Sequence, residues 1–550
     1  MKKLTWMILL LLPALIGVSA LRADEAPAQA FEALLRAEYP ADQPGAAVIV
    51  RKDGRTLCRA AVGMADLELG VPLTPDMVFR LGSVTKQFTG VAILMLEEEG
   101  KLRVGDAIQK YLPDFPDKGK PITVEHLLAH TSGIKSYTSL PEWLPLWRKD
   151  MKLEELIALF RDLPLEFDPG TRWNYSNSGY ILLGAIIEKV SGKTYADFID
   201  QRIFKPLGMN HSHYGDAERL IPRRVKGYQP QGEGFINAPY LSMTQPYAAG
   251  SLLSTVDDLA RWHEALLDGR LVRPDSLRKA HQPVRLSSGE STAYGYGWMM
   301  SDFKGHQTVE HGGGINGFAT YAISLPQDGV YVAILQNHTA KNPESLAFRM
   351  AALAAGIPLE TPPEVAVSQE TLMGYVGVYE HEAGGDRVIR YKDGKLSSQR
   401  DGGIVYVLRA VAPDEFIFPT GFTRLRFSGR EKASTVTVIP RLGMSEKARK
   451  TEKALPQDRT EIKLDPAKLQ RLVGVYELAP NFELVFTLEN GQLMAQATGQ
   501  AKFPVFAEGE FRFFLKVVNA QMAFKLGPSG VAESMTLFQG GQAIVGKRVR

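Results

Sequence analysis

The heptapeptide Gly374-Tyr375-Val376-Gly377-Val378-Tyr379-Glu380 returns 97 residues later as Arg471-Leu472-Val473-Gly474-Val475-Tyr476-Glu477, and this repetition fixes how the last third of the chain can fold. The turn pair Asp393-Gly394, followed by Lys395-Leu396, recurs at the same offset as Asn490-Gly491 with Gln492-Leu493. Glu415-Phe416 also recurs, shifted by two residues, as Glu510-Phe511. Landmarks in register predict two copies of one unit of roughly 85 to 90 residues. Phe482, Leu484, Phe486 and Leu488 occupy every second position, as do Phe511, Phe513, Leu515 and Val517, so each strand buries one face. Many such strands joined by tight turns predict a small all-β barrel or sandwich. Its aromatic stripe fills the core or lines a ligand cavity; core filling is expected, because a barrel this small is filled by its own side chains.

A chain of 550 residues exceeds one ordinary core, and breaks in texture divide the rest of it. Ile357 to Val367 carries three prolines and reads as a linker, and the lysine-rich, proline-bounded segment Pro440 to Pro466 reads as a second. The mixed-sign run Glu446 to Lys453 is taken as solvated linker within it. The expected organisation is a signal over 1–20, a large α/β domain over 24–357, a linker over 358–369, a first β repeat over 370–445, a linker over 446–465 and a second β repeat over 466–550.

Within the large domain, a helix over Phe31–Tyr39 precedes strands Ala46–Val50 and Thr56–Val62, joined across the hairpin pair Asp53-Gly54. From Phe79 to about Leu267 the patterns are helical. Strands return at Thr308–Glu310, Phe318–Leu325 and Val330–Gln336, with a turn at Gln327-Asp328-Gly329, before a last helix over Ser345–Leu353. This order predicts one antiparallel sheet built from both ends of the domain, flanked by helices, with a helical lobe inserted and an active site where lobe meets sheet.

Lys2 and Lys3, the apolar run Leu4–Val18 and Val18-Ser19-Ala20 read as an export signal cleaved after Ala20, which makes the protein periplasmic or secreted. That run is shorter than the ~20 residues that span a bilayer, so no stable membrane insertion is expected once it is removed. The single cysteine, Cys58, lies far from the cleavage region and reads as a small core hydrophobe. A net charge of +3 gives no support for nucleic-acid binding. No Gly-x-x-x-x-Gly-Lys-Ser/Thr phosphate loop is evident and His211-Ser212-His213 has no third ligand beside it, so no cofactor and no metal are expected.

The chemistry centres on Phe79–Gly100, where Ser83 stands three residues before Lys86 as a helix begins. Residues i and i+3 share a helix face, so the two side chains can share a proton. Val84, Phe88, Val91, Ala92 and Met95 recur at helical spacing, which buries most of the helix and fixes that geometry. Ser-x-x-Lys also occurs at Ser132/Lys135 in a turn-like TSG, at Ser276/Lys279 on a charged face, and at Ser301/Lys304 in a polar loop. Only Ser83 opens a long apolar helix, whose free N–H groups favour a developing anion. A helix-capping serine with an unrelated lysine is the alternative.

Serine needs a base, and lysine serves only if held neutral, which takes roughly 3 to 5 kcal/mol of differential interaction. FDPGTRWNYSNSGY, Phe167 to Tyr180, supplies polar partners: Tyr175 to relay the proton and Asn177 to hold a substrate carbonyl or Lys86. Glu310-His311-Gly312-Gly313-Gly314 ends a predicted strand, and its glycines allow the close approach an oxyanion-binding edge requires. His311 is expected to face the site. Trp143 and Trp147 form an aromatic wall above the cleft or pack together.

Ser83-Val84-Thr85-Lys86, Tyr175-Ser176-Asn177 and His311-Gly312-Gly313, together with LLAHTSGI over Leu127–Ile134, resemble the serine β-lactamase and penicillin-binding-protein superfamily. The resemblance runs from about Gly45 to Leu353 and is strongest to the branch of class C enzymes, DD-carboxypeptidases, esterases and D-aminopeptidases. It implies Ser83 as the acylated nucleophile, Lys86 and Tyr175 as proton-transfer partners, and Asn177 as a substrate and lysine contact. His311 and Gly313 would lie against substrate, and the backbone N–H groups of Ser83 and Gly314 would form the oxyanion hole. His-Gly-Gly replaces the Lys-Thr-Gly usual in β-lactamases of the branch, so a titratable histidine stands where a cation would meet the substrate carboxylate. The two C-terminal repeats resemble the lipocalin-like barrels of D-aminopeptidases.

The expectation is therefore a multidomain exported serine hydrolase acting on a small-molecule or peptide substrate through a Ser83 acyl-enzyme. A D-amino-acid-specific peptidase or esterase is preferred to a β-lactamase or to a catalytically weak penicillin-binding or scaffold protein. Oligomeric state stays open. A chain cut near Thr361 is expected to leave Ser83 reactive and to alter substrate choice.

Overall fold

Two segments far apart in sequence, one ending at Val62 and the other starting at Met299, build the central sheet. A computed structural model of the protein describes residues 25–550 apart from 233, 360–361, 383, 402, 404, 420–421, 430–432, 442–444, 457–460, 480–481, 499–501, 517–519 and 540–541. The export signal expected over 1–20 lies outside the described residues. Helix α1 (Glu25–Glu38) leads into strands β1 (Ala46–Lys52) and β2 (Arg55–Val62). The turn between them places Asp53 and Gly54 at φ +47° and +74°, as a two-residue hairpin requires.

Helices α2 (Thr85–Glu98), α3 (Asn177–Ser191) and α4 (Val256–Leu267) belong to the inserted stretch, after which β3 (Met299–Phe303), β4 (His306–Ile315), β5 (Phe318–Leu325) and β6 (Val330–Gln336) return to the sheet, followed by α5 (Glu344–Ala355). The strand order is β3-β4-β5-β6-β1-β2, antiparallel throughout. Ser301 lies within β3 and not in the polar loop expected from SDFKG, because Met299–Phe303 pairs along its whole length with β4 and buries Met300.

Alternation along the strands separates the two faces. Val48, Val50, Ile323, Val332 and Ile334 pack with Phe31 and Leu35 of α1 and Leu346, Phe348 and Ala351 of α5. Ala47, Ile49, Ala322, Ala333 and Leu335 face the other way, onto α2 and the helical lobe. Helix α2 is enclosed on all sides, with every residue from Thr85 to Leu96 buried. Burial of Phe88, Val91, Ile93, Leu94 and Leu96 contributes roughly 1.5–3 kcal/mol each, so α2 is fixed as a rigid post between sheet and lobe.

The two β repeats are nine-stranded antiparallel sheets. In the first, the edge strands Val405–Val407 and Arg409–Ala412 are separated only by Leu408, so the sheet must curl until its edges adjoin. The second does the same across Val505. Both are nearly closed barrels with aromatic cores, Tyr375, Tyr379, Phe416 and Phe427 in one and Tyr476, Phe486, Phe513 and Phe524 in the other. The offset of 97 holds for the strand starts Gly377/Gly474, Lys395/Gln492, Val405/Lys502, Glu415/Arg512 and Thr435/Ala532. Glu415 therefore corresponds to Arg512, and the shifted Glu510-Phe511 likeness lies outside the structural register. The turn pairs Asp393-Gly394 and Asn490-Gly491 share left-handed φ values near +50° and +80°.

Glu446–Lys450, expected as linker, is the strand that closes the first barrel, pairing with Gly377–His381 and Thr435–Ile439. Ala448 is buried while the charged residues around it face solvent, which is why the segment looked like linker.

Candidate active site

The turn Gly82–Val84 delivers Ser83 to a cleft between sheet and lobe. In the stretch from Leu81 to Leu96, Ser83 is the one residue that is not buried. Gly82 has φ +53°, and a Cβ there would sit 3.0 Å from the backbone N and O of Gly314, so only glycine allows the serine turn to lie against β4.

Lys86 projects from the same face of α2, wholly buried. Its Nζ lies 3.1 Å from Ser83 Oγ, 2.8 Å from Asn177 Oδ1 and 2.9 Å from the carbonyl oxygen of Ala249. The rings of Tyr175 and Tyr180 lie 4.8 and 5.2 Å from the amine. With no carboxylate among these neighbours, burial pushes the lysine well below its usual 10.5 and favours the neutral amine.

Asn177 opens α3. Its backbone N–H donates to Ser136 Oγ and its side-chain amide donates to Thr138 Oγ1, which turns Oδ1 toward Lys86. Tyr175 is half-buried, and its buried hydroxyl, without another hydrogen-bond partner among the described residues, lies beside Ser83. Burial raises this phenol above its usual 10.0, which favours the neutral phenol over the phenolate.

The LLAHTSGI segment supports the Tyr175 loop from behind. His130 adopts φ +59°, its carbonyl accepts from Asn174 N–H and its Nδ1 accepts from Ser176 N–H. Its ring packs 4.2 Å from that of Tyr175. A buried histidine with positive φ amid aromatics gives this segment a positioning role that the family resemblance alone does not reveal.

His311 is brought close but lies one layer behind the cleft. Its Nδ1 donates to Gly312 O at 2.6 Å and its Nε2 accepts from Tyr294 O–H at 2.8 Å, so both ring nitrogens are used. Burial depresses it to about 3, which favours the neutral imidazole over the titratable cation substitute expected from the sequence. Gly313 packs tightly against the serine turn. A Cβ there would lie 2.0 Å from Leu81 O, so Gly313 permits β4 to pack on the serine turn. Gly314 has open space where a Cβ would be and lines the cleft.

The cleft encloses about 230 Å³ and is lined by Ser83, Asn177 and Gly314 together with Tyr137, Trp143 and Ile315. No lining side chain among the described residues carries a charge. Trp143 is a wall of the cleft, tied through Nε1–H to Gln245 Oε1, while Trp147 packs behind it at 5.5 Å. The other Ser-x-x-Lys pairs are engaged elsewhere: Ser276 donates to Glu98, Lys279 to Glu97, Ser301 to Arg441 O and Lys304 to Pro358 O, while Ser132 accepts from Ile134 N–H. Among the described residues there is no cluster of three or more His, Cys, Asp or Glu able to hold a metal, and no helix long and apolar enough to cross a membrane.

Residues 31–356 match the protein family described as Beta-lactamase, and residues 458–548 match a domain of unknown function, DUF3471. The chain is similar to penicillin-binding protein 4* of Bacillus subtilis strain 168, with 29% identity over 513 residues that cover 90% of this chain and 92% of that protein. It is 30% identical to a D-aminopeptidase of Gluconobacter oxydans strain 621H over 363 residues, 65% of this chain and 66% of that one. The octameric penicillin-binding protein homologue from Pyrococcus abyssi superposes with a TM-score of 0.56 at 27% identity, covering 78% of this chain and all of that structure.

Proposed function

This chain belongs to the beta-lactamase family, and on that premise we propose an exported serine hydrolase that forms an acyl-enzyme on Ser83 with D-amino-acid amides, peptides or esters. The observation that carries the reading is the set of partners around Lys86. A neutral amine has two N–H donors and one lone pair. Asn177 Oδ1 and Ala249 O can only accept, so they take both donors, and the lone pair is left for the Ser83 hydroxyl.

Ser83 Oγ attacks the substrate carbonyl carbon as its proton passes to Lys86 Nζ. The carbonyl oxygen, now an oxyanion, is received by the backbone N–H groups of Ser83 and Gly314. Collapse breaks the C–N or C–O bond, and the leaving nitrogen or oxygen takes the proton from Lys86 through the Tyr175 phenol. Water then attacks the ester, releases the acid and returns the proton to Ser83.

A D-residue is favoured because a D-aminopeptidase stands among the relatives. The uncharged lining favours a neutral acyl group, and a neutral His311 removes the cation that would receive the carboxylate of a β-lactam. Export is supported by the N-terminal sequence pattern.

Intact-mass measurement after exposure to p-nitrophenyl acetate or benzylpenicillin tests the chemistry: an adduct on Ser83, absent from Ser83→Ala, is expected. Failure of every activated ester and penicillin to label or turn over ends the enzyme reading. In a panel of D-alanyl amides, D-alanyl-D-alanine peptides, p-nitrophenyl esters and nitrocefin, the first three should exceed nitrocefin; the opposite ranking replaces the substrate assignment with a β-lactamase.

A further inference from the structure

Strand β4 carries the glycine edge and, directly before His311, a buried carboxylate. Glu310 is fully buried on the sheet face opposite the cleft. Within its own domain it accepts from Thr308 Oγ1–H and Tyr321 O–H, both at 2.5 Å. Neither group carries a positive charge. The counter-charge comes from outside the domain: Arg441, from the first barrel, meets Glu310 with a fork of two bonds, Nη1 to Oε1 at 2.8 Å and Nη2 to Oε2 at 2.7 Å.

The guanidinium side chain is 6% exposed. It also donates to Glu344 at the start of α5 and to Tyr321 Oη, while its backbone carbonyl accepts from Ser301 Oγ–H on β3. The rings of Phe348 and Phe422 lie 4.8 and 5.7 Å from it. Beyond the fork, a short path leads to the site. A Cβ on Gly312 would meet the Tyr321 ring at 3.2 Å, so that ring underlies Gly312. Gly312 O in turn accepts from His311, whose other nitrogen is held by Tyr294.

We propose that Arg441 is a positioning residue for the reaction: the first barrel uses it to neutralise Glu310 and thereby holds β4, with Gly312, Gly313 and Gly314, in register behind Ser83. Removing one partner from a buried pair strands a charge, whereas removing both is close to neutral. The catalytic consequence rests on the Ser83 acyl-enzyme reading; the structural coupling does not.

The test compares full-length wild type, Arg441→Met and the double variant Arg441→Met/Glu310→Gln by hydrogen exchange of the peptide spanning 306–315, and by kcat and KM for a p-nitrophenyl ester. Arg441→Met should speed exchange in this peptide about tenfold or more and lower kcat by a similar factor with KM nearly unchanged. The double variant should return both to within about threefold of wild type, which a loss of general stability would not do. Wild-type exchange and kcat in Arg441→Met, or no recovery in the double variant, overturns the proposal. If wild type reacts with no ester and no penicillin, the hydrolase reading falls by itself, and the exchange arm still decides whether Arg441 holds β4.

Discussion

Lys86 is the residue on which the chemistry turns, and its protonation sets the pH dependence. Only the neutral amine can accept the Ser83 proton, so the acylation rate should rise with pH through a lysine pKa that burial has moved well below 10.5. His311, depressed to about 3, and His130, pushed well below 6.5, stay neutral across that range and add no second limb. A pre-steady-state ester burst followed from pH 5 to 9 should therefore show one ascending limb, and Lys86→Arg should remove it with a loss of about 10³-fold or more. A bell-shaped profile or an active arginine variant would point to a different base. Ser83, Lys86, Tyr175 and Asn177 were legible in sequence because each stands at an element boundary with distinctive neighbours. Ala249 was not, since it contributes a backbone carbonyl that any residue could supply. The neutrality of His311 was illegible for a related reason: burial by Tyr294 and Tyr175 is a property of the packed site, not of the His-Gly-Gly string.

At the scale of elements, the site depends on how closely α3 approaches the short helix Tyr247–Gly250 that presents Ala249 O. Gly184 of α3 makes that approach possible, because a Cβ there would lie 2.3 Å from the Tyr247 ring and 2.6 Å from Ala248 Cβ. Gly184→Ala should force the two apart, cost roughly 1–3 kcal/mol of stability as overpacking does, and slow acylation although it touches no reacting group. Gly105→Ala, where a Cβ would meet nothing within 4 Å, is the control for both denaturant midpoint and burst rate. Equal behaviour of the two variants would show that the Ala249 carbonyl is not fixed by this packing. The strands β5 and β6 and the turn pairs of both repeats could be read from alternation and from Asp-Gly and Asn-Gly signals. The Glu446–Lys450 strand could not, because lysine and arginine on the solvent face of a half-buried strand leave only Ala448 to mark the core side.

At the scale of the whole molecule, the repeat announced two modules but not how they attach, since an arginine that crosses a domain boundary has no local signature. Among the described residues, the hydrogen bonds from the first barrel to the catalytic domain centre on the Arg441 side chain and its carbonyl, with Phe422 packed on Phe348 beside it at 4.8 Å. A chain ending at Pro456 retains that contact and should acylate Ser83 at close to the full-length rate. A chain ending near Thr361 lacks it, exposes the Phe348 surface and leaves Glu310 buried without a counter-charge, so its acylation should fall tenfold or more. This departs from the expectation that such a chain keeps Ser83 reactive with an altered substrate choice. Glu310→Gln placed in the shorter chain separates the causes: recovery of the burst rate assigns the loss to the stranded carboxylate, whereas a chain that stays inactive assigns it to the uncovered apolar face. Full activity of the unmodified shorter chain would mean that the catalytic domain neutralises Glu310 by its own means and that both barrels are passengers in the chemistry.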